Sequence, residues 1–454
     1  MAVPVYRDRL SSRFALIALG LAVVGASAML YFQVGLFMPR VREVLTTRNL
    51  AGGYAFGNDF YPIWLTSREC LRDGRDPYSD QMTREIQVGL FGRPLNSKIS
   101  TDPKVDYRTF AYPAFTDLLF WPAEEFPFPA LRVALVLLLA VLVLVSVLFW
   151  LRALSWRLSW PWLAVIFLLT LFSYQVLEGL YAAQLGLLVG CLLAAAMLAL
   201  QRGRLLLAGI LMALTTIKPQ MTALAIFYLL LWSSADWRRR KAFCLGLFST
   251  TLALVVSALV VWPHWVLSWT HVILGYHHYA EPQLVVDVFA IPLGYSATAP
   301  IALAMISLLL IVAVLIAWKN RARPAQSIQF WLTLSLLLCI TVIALLPGQA
   351  VHDHVILLPG LFLLSYRWRE ICSSRIQETL LAIGVGVLLW PWVTSLALIA
   401  LHPFLSHQQF YSGAIFSLPV RMAAVFPFVV LGGLILAARS QKLRRETIEP
   451  SFSR

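Results

Sequence analysis

Residues 133–151 read VALVLLLAVLVLVSVLFWL, a stretch without a charged residue and with Ser146 as its one hydroxyl side chain. An apolar run of roughly 18 residues or more is long enough to cross the hydrocarbon core of a bilayer as a helix. Arg152 follows at once, as expected where a helix reaches the lipid headgroups. The stretch therefore predicts a transmembrane helix over about 129–151.

The composition of the whole chain has the same character. Of its 454 residues, 60% are hydrophobic and only 13% are charged, with a mean hydropathy of +0.77. Soluble domains carry about 25% charged residues. Because a soluble fold needs a polar surface, this apolar excess indicates an all-α integral membrane protein whose solvent is lipid.

Apolar runs recur along the sequence and predict about 12 transmembrane helices in one polytopic domain covering 1–454. The first span is placed at 14–37, the other spans lie within 129–438, and a basic cytoplasmic tail follows at 439–454. The predicted spans are 14–37, 129–151, 160–176, 180–200, 204–218, 219–234, 242–262, 298–318, 327–346, 351–366, 378–399 and 420–438.

The net charge of +14 does not indicate nucleic acid, because the basic residues form short clusters between the apolar runs. With a cytoplasmic N-terminus, the clusters between spans all fall on one side, as the positive-inside rule requires. Both termini are then cytoplasmic, and membrane lipids account for the charge. The short cytoplasmic loops leave the long segment 38–128 as the place for an extracytoplasmic site.

Two features of the outer side are candidates for function. Pro219 interrupts the pair 204–218 and 219–234, which puts Lys218 near the membrane boundary, where an ionisable residue is either functional or snorkels to the headgroups. In the outer loop, apolar residues spaced three and four apart predict an interfacial helix over Tyr61–Arg72. Asp59 precedes it, and either caps this helix or acts as a catalytic base. The segment 113–127 is predicted to lie at the interface or to be re-entrant.

Several short motifs occur in a fixed order between about 50 and 440. They are Asp59-Phe60, Gly74-Arg75-Asp76-Pro77-Tyr78, Phe110-Ala111-Tyr112-Pro113, Ala183-Gln184, Ile217-Lys218-Pro219 and His352-Asp353-His354. Together they resemble membrane glycosyltransferase family 87, also called DUF2029, of GT-C architecture. Some members of that family use polyprenyl-phosphate mannose as sugar donor.

The resemblance implies an inverting transfer of a hexose from a polyprenyl-phosphate sugar to a lipid or glycan acceptor, outside the cytoplasm of a bacterial inner membrane and without metal or cofactor. Asp59 matches the family's catalytic base. The donor phosphate and sugar are expected to bind Lys218, His352, His354 and Gln184. Further candidate substrate contacts are Tyr61, Tyr78, Tyr112 and Asp353.

The sequence departs from the family pattern at Ala114, at Ala183 and at Ala350-Val351, which affects the expected donor pocket more than the base. On a helix, His352 and His354 would point apart, so a shared metal ion is not expected there. Two other functions stay open: a transporter or lipid flippase without transferase activity, and a polysaccharide polymerase or ligase. The absence of charge from the spans argues against the transporter.

Overall fold

The computed structural model describes residues 12–96, 98, 99, 102, 108–279, 295–347, 350–371, 374–412 and 415–448. Within these residues the chain is helical and has no β-strand, which confirms the predicted all-α class. The α-helices are α1 (Ser12–Tyr31), α2 (Met38–Thr46), α3 (Tyr61–Asp73), α4 (Asp80–Phe91), α5 (Phe115–Phe120), α6 (Phe128–Ala153), α7 (Trp160–Leu171), α8 (Tyr174–Ala182), α9 (Gly186–Gln201), α10 (Leu205–Leu214), α11 (Pro219–Ser234), α12 (Trp237–Val261), α13 (Trp265–Tyr279), α14 (Tyr295–Asn320), α15 (Ile328–Ala344), α16 (Leu358–Ile371), α17 (Arg375–Leu401), α18 (His407–Ser412), α19 (Leu418–Arg421) and α20 (Phe426–Ile448).

Five described helices are long and apolar enough to cross a membrane: Arg13–Thr46, Phe128–Ala153, Trp237–Val261, Pro300–Asn320 and Arg375–Phe404. A sixth span results if α7 and α8, bent by 56° at their junction, are counted as one. Other apolar helices, including α9 and α15, are shorter than 18 residues. The protein is therefore a membrane protein, and the predicted number of 12 spans stays a prediction.

The first helix continues beyond the predicted end of the first span. A π-helical turn over Phe32–Phe37 joins α1 to α2, which ends at Thr46. An ion pair of 2.7 Å between Arg40 and Glu43, three residues apart on the helix, supports this polar extension. The apolar pattern ends before the helix does, because helical geometry does not require an apolar sequence.

Helices α10 and α12 approach closely through glycines. A Cβ on Gly209 would lie 2.1 Å from the carbonyl oxygen of Phe243, and one on Gly246 would lie 2.2 Å from that of Leu206. Small residues at helix contacts allow this backbone approach in membrane proteins. The two short halves α10 and α11 are thus held beside a full-length helix.

The bundle is organised around α15, in which all residues from Phe330 to Ala344 are buried. It packs against α11, α14, α16 and α20, while α6 and α10 pack against α9. A helix that is apolar on all sides must be enclosed by other helices or by lipid. Here protein encloses it, so α15 is a fixed scaffold for the segments at its ends.

The long segment between the first helix and α6 folds, in the part that the structure describes, into the short helices α3, α4 and α5. The predicted helix over Tyr61–Arg72 is confirmed as α3, whose buried residues pack against α5 and the 3₁₀ turn Trp121–Glu125. The indole of Trp64 donates a hydrogen bond of 3.0 Å to the carbonyl of Phe126. Neither α5 nor the turn after it is long enough to cross a membrane.

Candidate active site

The backbone turn before α3 fixes the position of Asp59. Gly57 has a φ of +78°, and a Cβ there would lie 2.7 Å from the Cβ of Arg132, so a side chain would be both strained and crowded. The amide of Gly57 donates a hydrogen bond of 2.8 Å to the carbonyl of Tyr181. Asp59 therefore starts from a backbone that is tied to the end of α8.

Two side chains from distant parts of the chain bind the carboxylate of Asp59. Arg108 donates to Oδ1, and the amide of Gln184 donates to Oδ2. No side chain caps α3, whose N-cap is Phe60, so the capping interpretation of Asp59 is wrong. Burial raises the pKa of Asp59, but the Arg108 guanidinium, with smaller help from His352 and Gln184, outweighs burial and holds the pKa below its usual range. The carboxylate is therefore ionised.

The turn between α8 and α9 presents Gln184. Ala183 ends α8 in the left-handed region with a φ of +57°. The backbone amide of Gln184 donates a hydrogen bond of 2.8 Å to the carbonyl of Gly179. The backbone amide of Ala183 also donates a hydrogen bond of 3.1 Å to the carbonyl of Leu180, and the two bonds together form the Schellman type of helix end, in which glycine usually occupies the left-handed position. The turn places the side-chain amide of Gln184 between Asp59 and Lys218. The ammonium of Lys218 donates a hydrogen bond of 3.2 Å to Oε1 of Gln184.

Lys218 lies at the break between α10 and α11, where the sequence predicts it. Its ammonium binds both carboxylate oxygens of Asp353, at 2.8 and 3.0 Å. Lys218 is 7% exposed and Asp353 is 1% exposed. The ammonium points into the protein, so the snorkelling interpretation is wrong. Two charges buried to this degree are stable mainly because each has the other.

The motif His352-Asp353-His354 forms part of a 3₁₀ helix, Val351–Leu357, that leads into α16. The ring nitrogen Nδ1 of His352 lies 2.7 Å from a carboxylate oxygen of Glu178, and Nε2 lies 3.5 Å from Oδ1 of Asp353. The ring of His354 is buried and makes no hydrogen bond to the described residues. Within the described residues, no three His, Cys, Asp or Glu side chains are grouped to hold one metal ion.

These contacts form one connected polar network. It runs from Arg108 through Asp59, Gln184 and Lys218 to Asp353, and His352 joins Asp353 to Glu178. Its members come from five separate segments of the chain, so the network exists only in the folded bundle. A network in which nearly every charge has a partner holds its groups in fixed orientations.

The network forms the polar wall of a cavity of about 1110 Å³. This volume is slightly above the usual size of small-molecule sites, about 300–1,000 Å³, and accommodates more than one sugar ring. Aromatic and apolar residues complete the lining, among them Tyr112, Tyr174, Trp269, Phe37 and Met38. Carboxylates, fixed cations and aromatic faces in one large cavity are the groups that sugar transfer needs.

The sequence profile of glycosyltransferase family 87 matches residues 110–347, slightly more than half of the chain. The chain belongs to glycosyltransferase family 87. The resemblance seen in the motifs is therefore confirmed, and family membership indicates a glycosyltransferase activity. A search of the curated proteins and a search of the solved structures gave no match to the chain.

The matched range of the family 87 profile contains part of the network. Gln184 and Lys218 lie within it, whereas Asp59 precedes it and Asp353 follows it. The structure thus connects residues from inside and outside the matched range in one cavity wall.

Six of the nine predicted site residues line the cavity of this family 87 protein: Asp59, Tyr112, Gln184, Lys218, His352 and Asp353. Three do not, and they are His354, Tyr61 and Tyr78. The 3₁₀ geometry turns His354 away from the cavity, and Tyr61 packs against Trp64 and Phe128. The hydroxyl of Tyr78 donates a hydrogen bond of 2.8 Å to the carbonyl of Tyr112, so Tyr78 supports a lining residue.

Sequence reasoning did not assign Arg108, Glu178 or Arg421 to the site, and all three line the cavity. Arg108 lies two residues before the Phe110-Ala111-Tyr112-Pro113 motif, which was a usable signal. An ionised carboxylate in a cavity needs a cation nearby, and Arg108 is a cation in the same segment 38–128 as Asp59, next to this motif. Trp269, in α13, also lines the cavity, and its indole donates a hydrogen bond of 3.0 Å to the carbonyl of Ala111.

Replacing Gly186 by alanine is expected to disturb the network. A Cβ at this first residue of α9 would lie 2.0 Å from Oδ1 of Asp353 and 3.4 Å from the ammonium of Lys218. Overpacking of this kind costs about 1–3 kcal/mol, and here it displaces one partner of a buried ion pair. We expect a lower temperature of thermal unfolding and at least a tenfold loss of transfer activity in the purified protein.

The matched control is Gly386→Ala, in the middle of α17, where a Cβ would meet nothing within 4 Å. That variant is expected to be as stable as the parent or slightly more stable. Equal unfolding temperatures and equal activities for Gly186→Ala and Gly386→Ala would show that the ion pair tolerates displacement.

Proposed function

We propose that the protein is an inverting hexosyltransferase that takes a hexose, such as mannose, from a polyprenyl-phosphate sugar and transfers it to a lipid or glycan hydroxyl. The observation that carries the proposal is Asp59, paired with Arg108 on the wall of a large cavity and in one network with the Lys218–Asp353 ion pair. Family membership supports the transfer of a sugar. The network supports the proposed mechanism, in which a carboxylate takes the acceptor proton and a cation stabilises the leaving phosphate.

In the proposed reaction the acceptor oxygen attacks the anomeric carbon of the donor. The bond from that carbon to the phosphate oxygen breaks, and the phosphate leaves with the electron pair. The acceptor proton passes to Asp59, which is regenerated when the proton is released. Arg108 and Gln184 each occupy one carboxylate oxygen of Asp59 but leave it further lone pairs, so the carboxylate can still accept this proton.

The leaving phosphate gains negative charge as its bond breaks, and fixed cations stabilise that charge. We assign Lys218 to the donor phosphate or the sugar next to it, with Gln184, His352 and Asp353 binding sugar hydroxyls. Asp353 holds the ammonium of Lys218 in place before the donor arrives, so little reorganisation is needed at the moment of transfer. Tyr112 and Trp269 offer aromatic faces for the sugar. The proposed chemistry uses no metal ion or cofactor.

The proposal includes a topology. With about 12 spans, the basic clusters lie in the cytoplasm together with both termini, and the cavity opens on the opposite side of a bacterial inner membrane. The break at Lys218, the 3₁₀ segment at His352 and the outer-loop helices then all lie at the same outer end of the bundle. That arrangement supports a donor whose lipid chain stays in the bilayer while its sugar enters the cavity.

The purified protein is expected to transfer hexose from at least one member of a panel of polyprenyl-phosphate hexoses. Nucleotide sugars in a parallel panel are expected to be inactive, because the proposed leaving group is a lipid phosphate. The readout is labelled product on a lipid or glycan acceptor, with its anomeric configuration determined by NMR. A retained configuration would contradict the inverting mechanism, and transfer from nucleotide sugars alone would contradict the donor class. Transbilayer lipid movement without transfer would favour the flippase.

A further inference from the structure

Almost every fixed charge in the cavity lining forms an ion pair with another group of the lining. In the described part of the lining, three carboxylates face three permanent cations, and these are Asp59, Glu178 and Asp353 against Arg108, Lys218 and Arg421. Asp59 forms an ion pair with Arg108, and Asp353 binds the ammonium of Lys218 through both of its carboxylate oxygens. Glu178 binds His352.

Arg421 differs from the other two cations. It is exposed, and its side chain makes no ion pair and no hydrogen bond with the residues that the structure describes. Without it, the described lining would carry one more negative than positive fixed charge. Such a wall would repel an anionic substrate, so Arg421 is the group that makes the cavity acceptable to a phosphate.

The surroundings of Arg421 indicate which kind of phosphate it meets. It ends α19, and beside it the cavity wall is formed by Val420, Ala423 and Ala424. The same lining contains Phe37, Met38 and Val41, from the π-helical turn and the start of α2. Phe37 and Val420 pack against the same buried cluster, which contains Phe416, and the rings of Phe37 and Phe416 stack with centroids 6.0 Å apart. An exposed guanidinium bordered by apolar side chains suits an anionic head on an apolar chain.

We infer that Arg421 binds the phosphate of the polyprenyl-phosphate substrate, with the prenyl chain lying along the apolar wall between residues 37–41 and 420–424. The inference rests on the proposed function and adds a residue that it does not include. A guanidinium can donate two parallel hydrogen bonds to a phosphate, and it stays charged at any working pH. Arg421 holds the phosphate before transfer and during its departure, while Lys218 remains in its ion pair with Asp353.

The test is binding of a long-chain polyprenyl phosphate without sugar to the full-length protein in phosphatidylcholine nanodiscs, measured by native mass spectrometry or with radiolabelled ligand. The parent is expected to bind, and Arg421→Gln is expected to bind at least about 10-fold more weakly, the usual effect of losing a charge-assisted contact. Arg421→Lys is expected to fall between them, because it keeps the charge and loses the two-pronged geometry. The matched control is Arg48→Gln, an exposed arginine of the outer loop that does not line the cavity, and it is expected to bind like the parent.

The outcomes separate the inference from the function on which it rests. If the parent binds and Arg421→Gln binds equally well, the inference fails and the proposed function stands. If the parent transfers sugar only from donors without a lipid phosphate, both fail. A competition with phosphatidylglycerol distinguishes substrate from bulk lipid, since equal displacement by this headgroup would make Arg421 a general lipid contact and overturn the assignment. In transfer assays, Arg421→Gln should raise the KM for the donor and leave the KM for the acceptor unchanged.

Discussion

Asp59→Asn is expected to reduce sugar transfer by about 10²–10⁴-fold, which is the usual contribution of a positioned general base. The amide has the shape of the carboxylate and can still accept a hydrogen bond from Gln184 or Arg108, but it cannot take the acceptor proton. The measurement is the initial rate of transfer with the donor that the panel identifies. Donor binding is expected to persist, because the loss affects proton transfer and not the phosphate contact.

The control for this variant is Asp80→Asn, which removes an exposed carboxylate in the same segment between the first helix and α6, at the start of α4 and outside the cavity lining. It is expected to transfer sugar at the parental rate. Size-exclusion profiles of both variants should match the parent. The unfolding temperature of Asp59→Asn is expected to fall, because Arg108 loses its charged partner and keeps only its hydrogen bond to the carbonyl of Gly53. Parental turnover in Asp59→Asn would remove Asp59 from the role of base.

Local patterns in the sequence predicted the elements well and their ends less well. Pro219 cannot continue the helix before it, so the break at Lys218 could be predicted from one residue. The same reasoning missed the 56° bend between α7 and α8, where the N-cap residue Ser173 is the one polar residue between the two helices. It also missed the polar helix over Met38–Thr46, since an apolar pattern marks lipid contact and not helix length.

The residues of the site were predictable as a set, and their pairing was not. Lys218 and Asp353 are 135 residues apart in sequence, and Asp59 and Gln184 are 125 apart. Such pairs depend on how helices pack, which periodicity does not determine. His352 and His354 looked equivalent in the motif and both are buried, yet the 3₁₀ helix places only His352 in the cavity lining. Asp59 fitted a helix cap by position, but the tertiary contact with Arg108 determines what it does.

Lys218→Met is expected to destabilise the protein by about 3–5 kcal/mol, because it leaves the buried carboxylate of Asp353 without its cation. His352 cannot replace the ammonium at full strength, since its Nε2 lies 3.5 Å from Asp353 and its Nδ1 is bound to Glu178. Asp353→Leu is expected to destabilise the protein as well, because it leaves the buried ammonium of Lys218 without its carboxylate. The measurement is the unfolding temperature of the purified variants, with Lys319→Met, an exposed lysine at the end of α14, as the neutral control.

The double variant Lys218→Met/Asp353→Leu decides whether the pair serves more than folding. Replacing both partners of a buried ion pair by apolar residues is often neutral, so most of the lost stability is expected to return. Transfer is expected to stay at least 100-fold below the parent, because the cavity then lacks the ammonium assigned to the donor and the carboxylate assigned to a sugar hydroxyl. A double variant that is stable and fully active would make the pair purely structural. One that is stable and inactive, with a folded cavity that still binds polyprenyl phosphate through Arg421, would place Lys218 and Asp353 at the sugar.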